Sequence, residues 1–306
     1  MDPGHQPVLA EPVLALLAPR PGGFYLDCTI GRGGHAELIS KRLGPEGRVI
    51  GLDVDPANVD FSRARLSEVR SRQGGAAFDV VPGNFADART LLDHLGVERV
   101  DLLLADLGFA SSQMDDPSRG LSFAADGPLD MRFDPSATTT AAEIVNGLEE
   151  RALADLIYEY GEERLSRKIA RKIVEKRGIS PINSTLELAE LVRQAYGARG
   201  HRPRRSGRPR LDPATRTFMA LRIAVNLELD VLGRLLDDMP NLMRPGGVSA
   251  VISFHSLEDR MVKHAIRQWQ RDGIARRLTP KPVVADAGER QANPRSRSAK
   301  LRAAGW

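Results

Sequence analysis

The sequence predicts an α/β protein with a parallel sheet, interrupted by a helical insertion. Two observations predict it. Short apolar runs alternate with helix-length segments through the first hundred residues, and the same grammar returns near residue 250. Between them lies a long stretch with helical signals and no strand between the helices. The length of 306 residues fits one large core with an insertion better than two tandem domains of about 150 residues.

Taken in order, Phe24-Tyr25-Leu26-Asp27-Cys28 is a short apolar run that ends at a glycine-rich turn. Residues 36–43 suit a helix, closed by Gly44-Pro45. Residues 48–53 form a second strand and 56–69 a second helix. A third strand covers 78–81, a helix 88–95, and a fourth strand 100–105. The fourth strand is apolar enough to be buried on both faces, as in a parallel sheet. The rhythm breaks after Asp106, and residues 107 to about 138 show no clear period. Helical segments follow over 141–160, with an interruption at Gly147, and over 162–177, stopping at Gly178. A third opens at Ser184 with Glu187 three residues on, a capping-box spacing, and runs to Tyr196. Asp212-Pro213 is a suitable N-cap and first-turn pair for a helix through Leu229. A helix over 231–243, a fifth strand over 248–253 and a helix over 258–270 complete the core. The expected division is residues 1–114 with 212–306 as core and 115–211 as an inserted helical, substrate-recognising domain.

The net charge of +4 is bland, but its distribution is not. Between Glu190 and Asp212 there are seven arginines and no acid, and after Glu289 five basic residues and no acid. These twelve cations exceed the whole chain's net charge, so the remainder is net acidic. Two basic segments on an acidic body point to a polyanionic partner. One cysteine, Cys28, allows no internal disulfide and no cysteine-rich zinc site, and suits a reducing, cytoplasmic setting. No secretory signal pattern is seen at the start, and no apolar run approaches a membrane span. The six histidines show no metal-ligand spacing, so no metal is expected.

The sharpest local signal is Asp27-Cys28-Thr29-Ile30-Gly31-Arg32-Gly33-Gly34-His35, between a strand and a helix, with Asp53 ending the next strand. Glycines there let backbone N–H groups approach a ligand, and an acid ending the second strand can accept from ribose hydroxyls. Two nucleoside cofactors compete for this pattern. Gly31-x-Gly33-x-x-Ala36 with Asp53 fits the dinucleotide fingerprint of a dehydrogenase. Asp27 favours S-adenosyl-L-methionine instead, because a carboxylate there would repel pyrophosphate and attract ammonium and sulfonium.

Ligands of open parallel sheets sit beyond the carboxyl ends of the strands. Asp106 ends the fourth strand there, followed by Leu107-Gly108-Phe109. With a methyl donor, that position suits a transfer to an exocyclic amine. Such an amine is a poor nucleophile because its lone pair is delocalised into the ring. A carboxylate and a carbonyl that accept its two hydrogens favour a pyramidal nitrogen, and positioning does the rest. Asp106 is the candidate acceptor, and Phe109 a candidate stacking wall for an extruded base. An assembly factor that binds RNA without catalysis is a third reading, carried by the basic segments.

With these residues in view, the sequence resembles the bacterial 16S rRNA cytosine-N4 methyltransferases of the RsmH/MraW type. The resemblance spans almost the whole chain. It is carried by His5-Gln6-Pro7-Val8-Leu9, Gly31-Arg32-Gly33-Gly34-His35, Asp106-Leu107-Gly108 and Ser111-Ser112-Gln113. Further words are Arg119 to Phe123, Asp126 to Arg132, Tyr160 to Arg164, Pro213 to Phe218, Ser253 to Arg260 and Asn293 to Arg302. It implies a Rossmann-like class I S-adenosylmethionine-dependent methyltransferase core with an inserted all-helical domain. It also implies methylation of a cytidine N4 in the decoding region of 16S rRNA, within the small ribosomal subunit; a monomer and a homodimer both fit the sequence. Carried over by position, the donor contacts are Gly33, Gly34, His35, Asp53, Phe85, Asp106 and Gln113, joined by Asp27 and Gly31 from the residue reading. The chain departs from the family pattern at Phe109, where valine is usual, at Asp212, where histidine is usual, and at Met219, where glutamine is usual.

His255, just after the fifth strand, is a candidate for a substrate or proton role beside a structural one. Helix 162–177 gathers Arg164, Arg167, Lys168, Arg171 and Lys172 on one side. The acid-free loop with Arg199, Arg202, Arg204, Arg205, Arg208 and Arg210 is the first candidate for RNA contact, since arginine suits phosphate forks and base stacking.

Overall fold

A computed structural model of the chain describes residues 7–197 and 212–306. They fall into two compact units: residues 1–108 with 229–306, and residues 109–228.

The first unit is built on a seven-stranded sheet. Its strands are β1 (Phe24–Asp27), β2 (Arg48–Asp53), β3 (Ala77–Pro82), β4 (Val100–Asp106), β5 (Met243–Ser253), β6 (Arg276–Arg277) and β7 (Lys300–Gly305). Their order is β3-β2-β1-β4-β5-β7-β6. β1 to β5 run parallel, and β7 lies antiparallel between β5 and β6. That order, with one reversed strand, is the class I methyltransferase sheet. α1 (Ala10–Leu17) precedes β1, and α2 (Gly34–Leu43), α3 (Pro56–Gln73) and α4 (Ala88–His94) run between the strands.

The apolar pattern of the strands explains the layering. Side chains alternate across a pleated strand, so a strand apolar at every position faces two cores. Tyr25, Leu102 and Leu104 pack on one side with Leu14 of α1, Ile39 of α2 and Leu66 of α3. Leu26, Leu103 and Ala105 pack on the other with Leu92 of α4. All of these are buried.

The second unit is helical. It holds α5 (Ser111–Asp115), α6 (Ala141–Gly147), α7 (Glu150–Gly161), α8 (Ser166–Arg177), α9 (Thr185–Tyr196) and α10 (Ala214–Asn226). Leu153, Ile157, Ile169, Ile173, Leu188, Val192, Phe218 and Leu221 form its core. Ser184 caps α9 by accepting from the Glu187 N–H, while the Glu187 carboxylate goes to Lys176 at 2.9 Å and so does not complete the box. Asp212 accepts from the Ala214 N–H at 2.8 Å and pairs with Arg193 at 3.0 Å.

Three differences from the sequence expectation are informative. Helix α10 packs on α7 and α9, so the helical unit runs to Glu228, one helix beyond the expected border at 212. The expected helix 162–177 begins later, because Glu162 takes a left-handed backbone (φ 48°) and ends α7. The strand β7 was not expected at all. It occupies the segment read as a basic tail, where Lys300 and Arg302 pair with Asp259 at 3.3 and 2.7 Å. Asp259 belongs to α12 (Ser256–Arg271), which follows α11 (Glu228–Leu242) and β5; α13 (Ala287–Ala292) precedes β7.

Candidate active site

The carboxyl ends of β2, β1 and β4 lie side by side in the first unit, and each carries an aspartate. Asp27 is level with Gly51 and Leu104 in the ladders, so Asp53 and Asp106 project two residues beyond it on either flank. Adjacent strands are about 4.8 Å apart, which places the three acids along one short edge.

Asp27 is buried, accepting from the Tyr25 hydroxyl at 2.8 Å and the Thr29 N–H at 3.2 Å. Burial pushes its pKa up to about 7, against those two hydrogen bonds, and the charge of Asp53 adds to the rise. Asp53 accepts from the N–H groups of Gly31 and Asp55, both at 2.9 Å, and from the Asn58 amide at 3.2 Å. It too is raised by burial. The Gly31 N–H is thus held by Asp53, and the loop is latched to the second strand.

The loop's shape depends on two glycines. Gly33 sits at φ +74°, a conformation that favours glycine, and introduces α2. Gly51 in β2 allows close packing, since a Cβ there would lie 2.2 Å from Ile30 Cδ1. The sequence reading did not single out Gly51; a glycine inside an apolar strand is the signal that marks such an approach.

Asp106 has its own environment. Its N–H donates to Thr29 Oγ1 at 2.7 Å, while its Oδ1 is buried without a hydrogen-bond partner among the described residues. About a quarter of the side chain (24%) remains open, so Asp106 is sealed on one oxygen and accessible overall. Burial pushes its pKa well above the carboxylate range, Asp27 and Glu258 push it further, and Arg295 opposes them. Its Oδ2 lies 3.7 Å from His35 Nε2. His35 is buried, with neither ring nitrogen hydrogen-bonded among the described residues. Burial lowers its pKa to about 4, so the ring is neutral; the nearby Val8 backbone opposes this without meeting hydrogen-bond geometry.

Phe85 follows the turn after β3, where the Gly83 N–H donates to the Asp53 carbonyl at 3.0 Å and Asn84 caps the short turn at Phe85. This brings Phe85 to the same edge as Asp53. His255 follows β5 and caps α12: its Nδ1 lies 3.5 Å from the Glu258 N–H, and its Nε2 is 3.1 Å from Glu258 Oε1. Glu258 in turn accepts from the N–H groups of Phe254 and His255. The structure gives His255 a capping role.

Asp27, Gly31, Gly33, Gly34, His35, Asp53, Phe85 and Asp106 therefore meet at one edge of the first unit. Phe109 and Gln113 belong to the second. There Phe109 lies 5.7 Å from the Phe133 ring and 5.1 Å from the Arg222 guanidinium, and Gln113 Oε1 accepts from the Ala110 N–H at 2.9 Å. Arg199, Arg202, Arg204, Arg205, Arg208 and Arg210 lie outside the described residues. Tyr25, Thr29 and Asn58, which hold the three aspartates, were not singled out from sequence. Thr29 stands inside the glycine-rich word, and the other two carry no motif.

The donor set tests the cofactor. Three crowded carboxylates, each raised by burial, suit a ligand that brings positive charge, and would repel a pyrophosphate. S-adenosylmethionine brings an ammonium and a sulfonium; a dinucleotide brings two phosphates. The residues fit the first and oppose the second.

Comparison with known proteins agrees. The profile of the MraW methylase family matches residues 2–305. The Ribosomal RNA small subunit methyltransferase H of Geobacter sulfurreducens is 47% identical, aligned over 98% of each chain. The protein of the same name from Sorangium cellulosum is 49% identical over 98% of this chain and 90% of its own. With the carboxylate edge, the strand order and the full-length match in accord, the chain belongs to the MraW methylase family, whose methyl donor is S-adenosyl-L-methionine.

Proposed function

We propose that this chain methylates the N4 amino group of a cytidine in the decoding region of 16S rRNA, within the small ribosomal subunit. The names of the relatives support the rRNA substrate, and the sequence resemblance supports the base and atom. The observation that carries the chemistry is Asp106, a strand-end carboxylate with an open side and an oxygen without a hydrogen-bond partner among the described residues. The donor supplies an electrophilic methyl on sulfur.

The protein's part is to hold and orient. Asp27 and Asp53 offer negative charge to the donor's cationic end and hydrogen-bond acceptors to its ribose. Gly33 and Gly34 leave the loop free of side chains at the start of α2. Phe85 offers an apolar surface beside Asp53 for the adenine. Asp106 accepts from the target amine, which turns the nitrogen lone pair toward the methyl. Asp106 would take the proton that the amine loses on methylation. Phe109, Gln113 and the arginines of the 199–210 segment are assigned to substrate and donor contact on the same reading. The helical unit is assigned to substrate recognition.

The test is methyl transfer from labelled S-adenosylmethionine to small subunits lacking the modification. The expected product is N4-methylated cytidine at one position by nucleoside mass spectrometry. Label on another atom, or none in rRNA at any assembly stage, refutes the proposal.

A further inference from the structure

We propose that the exposed face formed by Arg164, Arg167, Lys168 and Arg171 in the helical unit is a docking surface for RNA phosphates. It deepens the rRNA reading above by naming a surface that meets the polyanion. Arg167, Lys168 and Arg171 lie on the first turns of α8, where spacings of three and four share a side, and Arg164 lies in the turn just before it. All four are exposed.

Their partners, or lack of them, are the main observation. Arg164, Arg167 and Lys168 make no ion pair or hydrogen bond among the described residues, and Arg171 reaches only the half-exposed Glu150 at 3.7 Å. The cations at the other end of the same helix are engaged. Lys172 lies 3.8 Å from Glu175, Lys176 pairs with Glu187 at 2.9 Å, and Arg177 donates to the carbonyls of Val145 and Leu148 at 2.7 and 2.6 Å. The free cations sit at the end of α8 where they are least welcome. There is no acid in the first turn and no side-chain cap, so they face the positive end of the helix dipole. The fold gains nothing from that placement, and an anionic partner does.

The surface is also presented rigidly. Ile169 and Ile173, on the opposite side of α8, are fully buried in the core of the helical unit with Leu153 and Ile157 of α7. The cations therefore project from a fixed frame with a turn-by-turn spacing. RNA fits this face better than a protein does. The exposed positions of α8 are Arg167, Lys168, Arg171 and Glu175, with no apolar residue to form the dry centre of a protein interface. Arginine forks match phosphate oxygens.

The experiment compares the full-length protein with Arg164→Gln/Arg167→Gln/Lys168→Gln, using unmodified 16S rRNA and small subunits as probes. A control, Arg42→Gln/Arg70→Gln/Lys281→Gln, removes the same charge from scattered exposed sites on the other unit. The face variant should bind RNA about tenfold more weakly, with the slope of log K against log salt reduced by about two to three. Its affinity for S-adenosylmethionine should stay unchanged and its melting temperature should not fall, because the substitutions relieve the helix dipole. The control should bind RNA as the parent does. Unchanged RNA affinity and salt slope in the face variant, or equal losses in both variants, overturns the proposal. If the parent binds RNA but methylates none, the rRNA methylation reading fails and the docking surface stands.

Discussion

His35 Nε2 and Asp106 Oδ2 lie 3.7 Å apart in the first unit, and neither His35 nitrogen nor Asp106 Oδ1 has a hydrogen-bond partner among the described residues. Buried polar atoms are nearly always satisfied, so three orphans in one spot mark a site that its ligands complete. Burial keeps the imidazole neutral, so it does not neutralise the carboxylate. Burial favours the protonated form of Asp106 in the free protein, and a cationic donor bound beside it favours the ionised form that accepts from a substrate. Replacing Asp106 by alanine is expected to lower methyl transfer by about 10²- to 10⁴-fold, the range for losing a positioned proton acceptor. The melting temperature should hold or rise, because the substitution removes a carboxyl whose charged form is destabilised by burial and further by Asp27 and Glu258. Steady-state turnover and a thermal melt check both; retained turnover moves the acceptor role elsewhere.

Asp27 gives the donor site a pH dependence of definite sign. With its pKa raised to about 7, it is partly protonated at neutral pH in the free protein. A cationic ligand favours the ionised form, so binding below that pKa must expel a proton. The dissociation constant for S-adenosylmethionine should fall as pH rises through about 7 and level off above, by at most about tenfold per unit for this single group. Calorimetry in buffers of different ionisation enthalpy would count the proton. Asp27→Asn should bind more weakly and with a flatter profile; a parent profile that is already flat between about pH 6 and 8 contradicts the argument.

His35 and Asp27 act on stability in opposite directions over overlapping ranges. The folded pKa of His35, about 4, is below its usual value of about 6.5. Its contribution is therefore full above the unfolded value and is lost as pH falls toward 4. Asp27, raised from 3.8 to about 7, contributes fully below the unfolded value and loses that contribution as pH rises through 7. Between these limits the two slopes offset one another. His35→Asn leaves the Asp27 slope unopposed, so its stability relative to the parent should improve as pH is lowered from about 6.5 to 4. Denaturant unfolding at several pH values checks this, and a pH-independent difference between the two proteins would contradict it.

How much could be read from sequence depends on the range of the interaction. The strands β1 to β4 were legible because burial on both faces writes a continuous apolar run, as in Val100 to Ala105. Asp27, Asp53 and Asp106 were legible because each follows such a run at the edge where ligands collect. The latches among them were not. Thr29 reaches the Asp106 N–H from 77 residues away, and Gly31 reaches Asp53 across two strands, neither of which is a local pattern. The border near 212 was misplaced for a related reason: α10 is amphipathic, and its periodicity does not say which core its apolar face enters. His255 could be placed next to the ligand edge by position, but its capping of α12 depends on the backbone after β5.

Two of the five C-terminal cations, Lys300 and Arg302, are engaged within the fold, and charge counts do not see such pairing. Arg302 lies in the middle of β7, its side chain 8% exposed, and its Nε donates to Asp259 Oδ1 at 2.7 Å. Lys300 reaches the other oxygen at 3.3 Å, and together they hold the Asp259 carboxyl below its usual range. The pair ties α12 to the one antiparallel strand that closes this side of the sheet. Asp259→Ala would leave the buried guanidinium without its carboxylate, a loss of about 3–5 kcal/mol for a pair broken on one side. Arg302→Met removes the charge together with the need for it, and should cost much less. Denaturant unfolding of the two variants should therefore rank Asp259→Ala well below Arg302→Met. Equal stabilities would mean that Arg302 is solvated in the folded protein and that β7 does not depend on this pair.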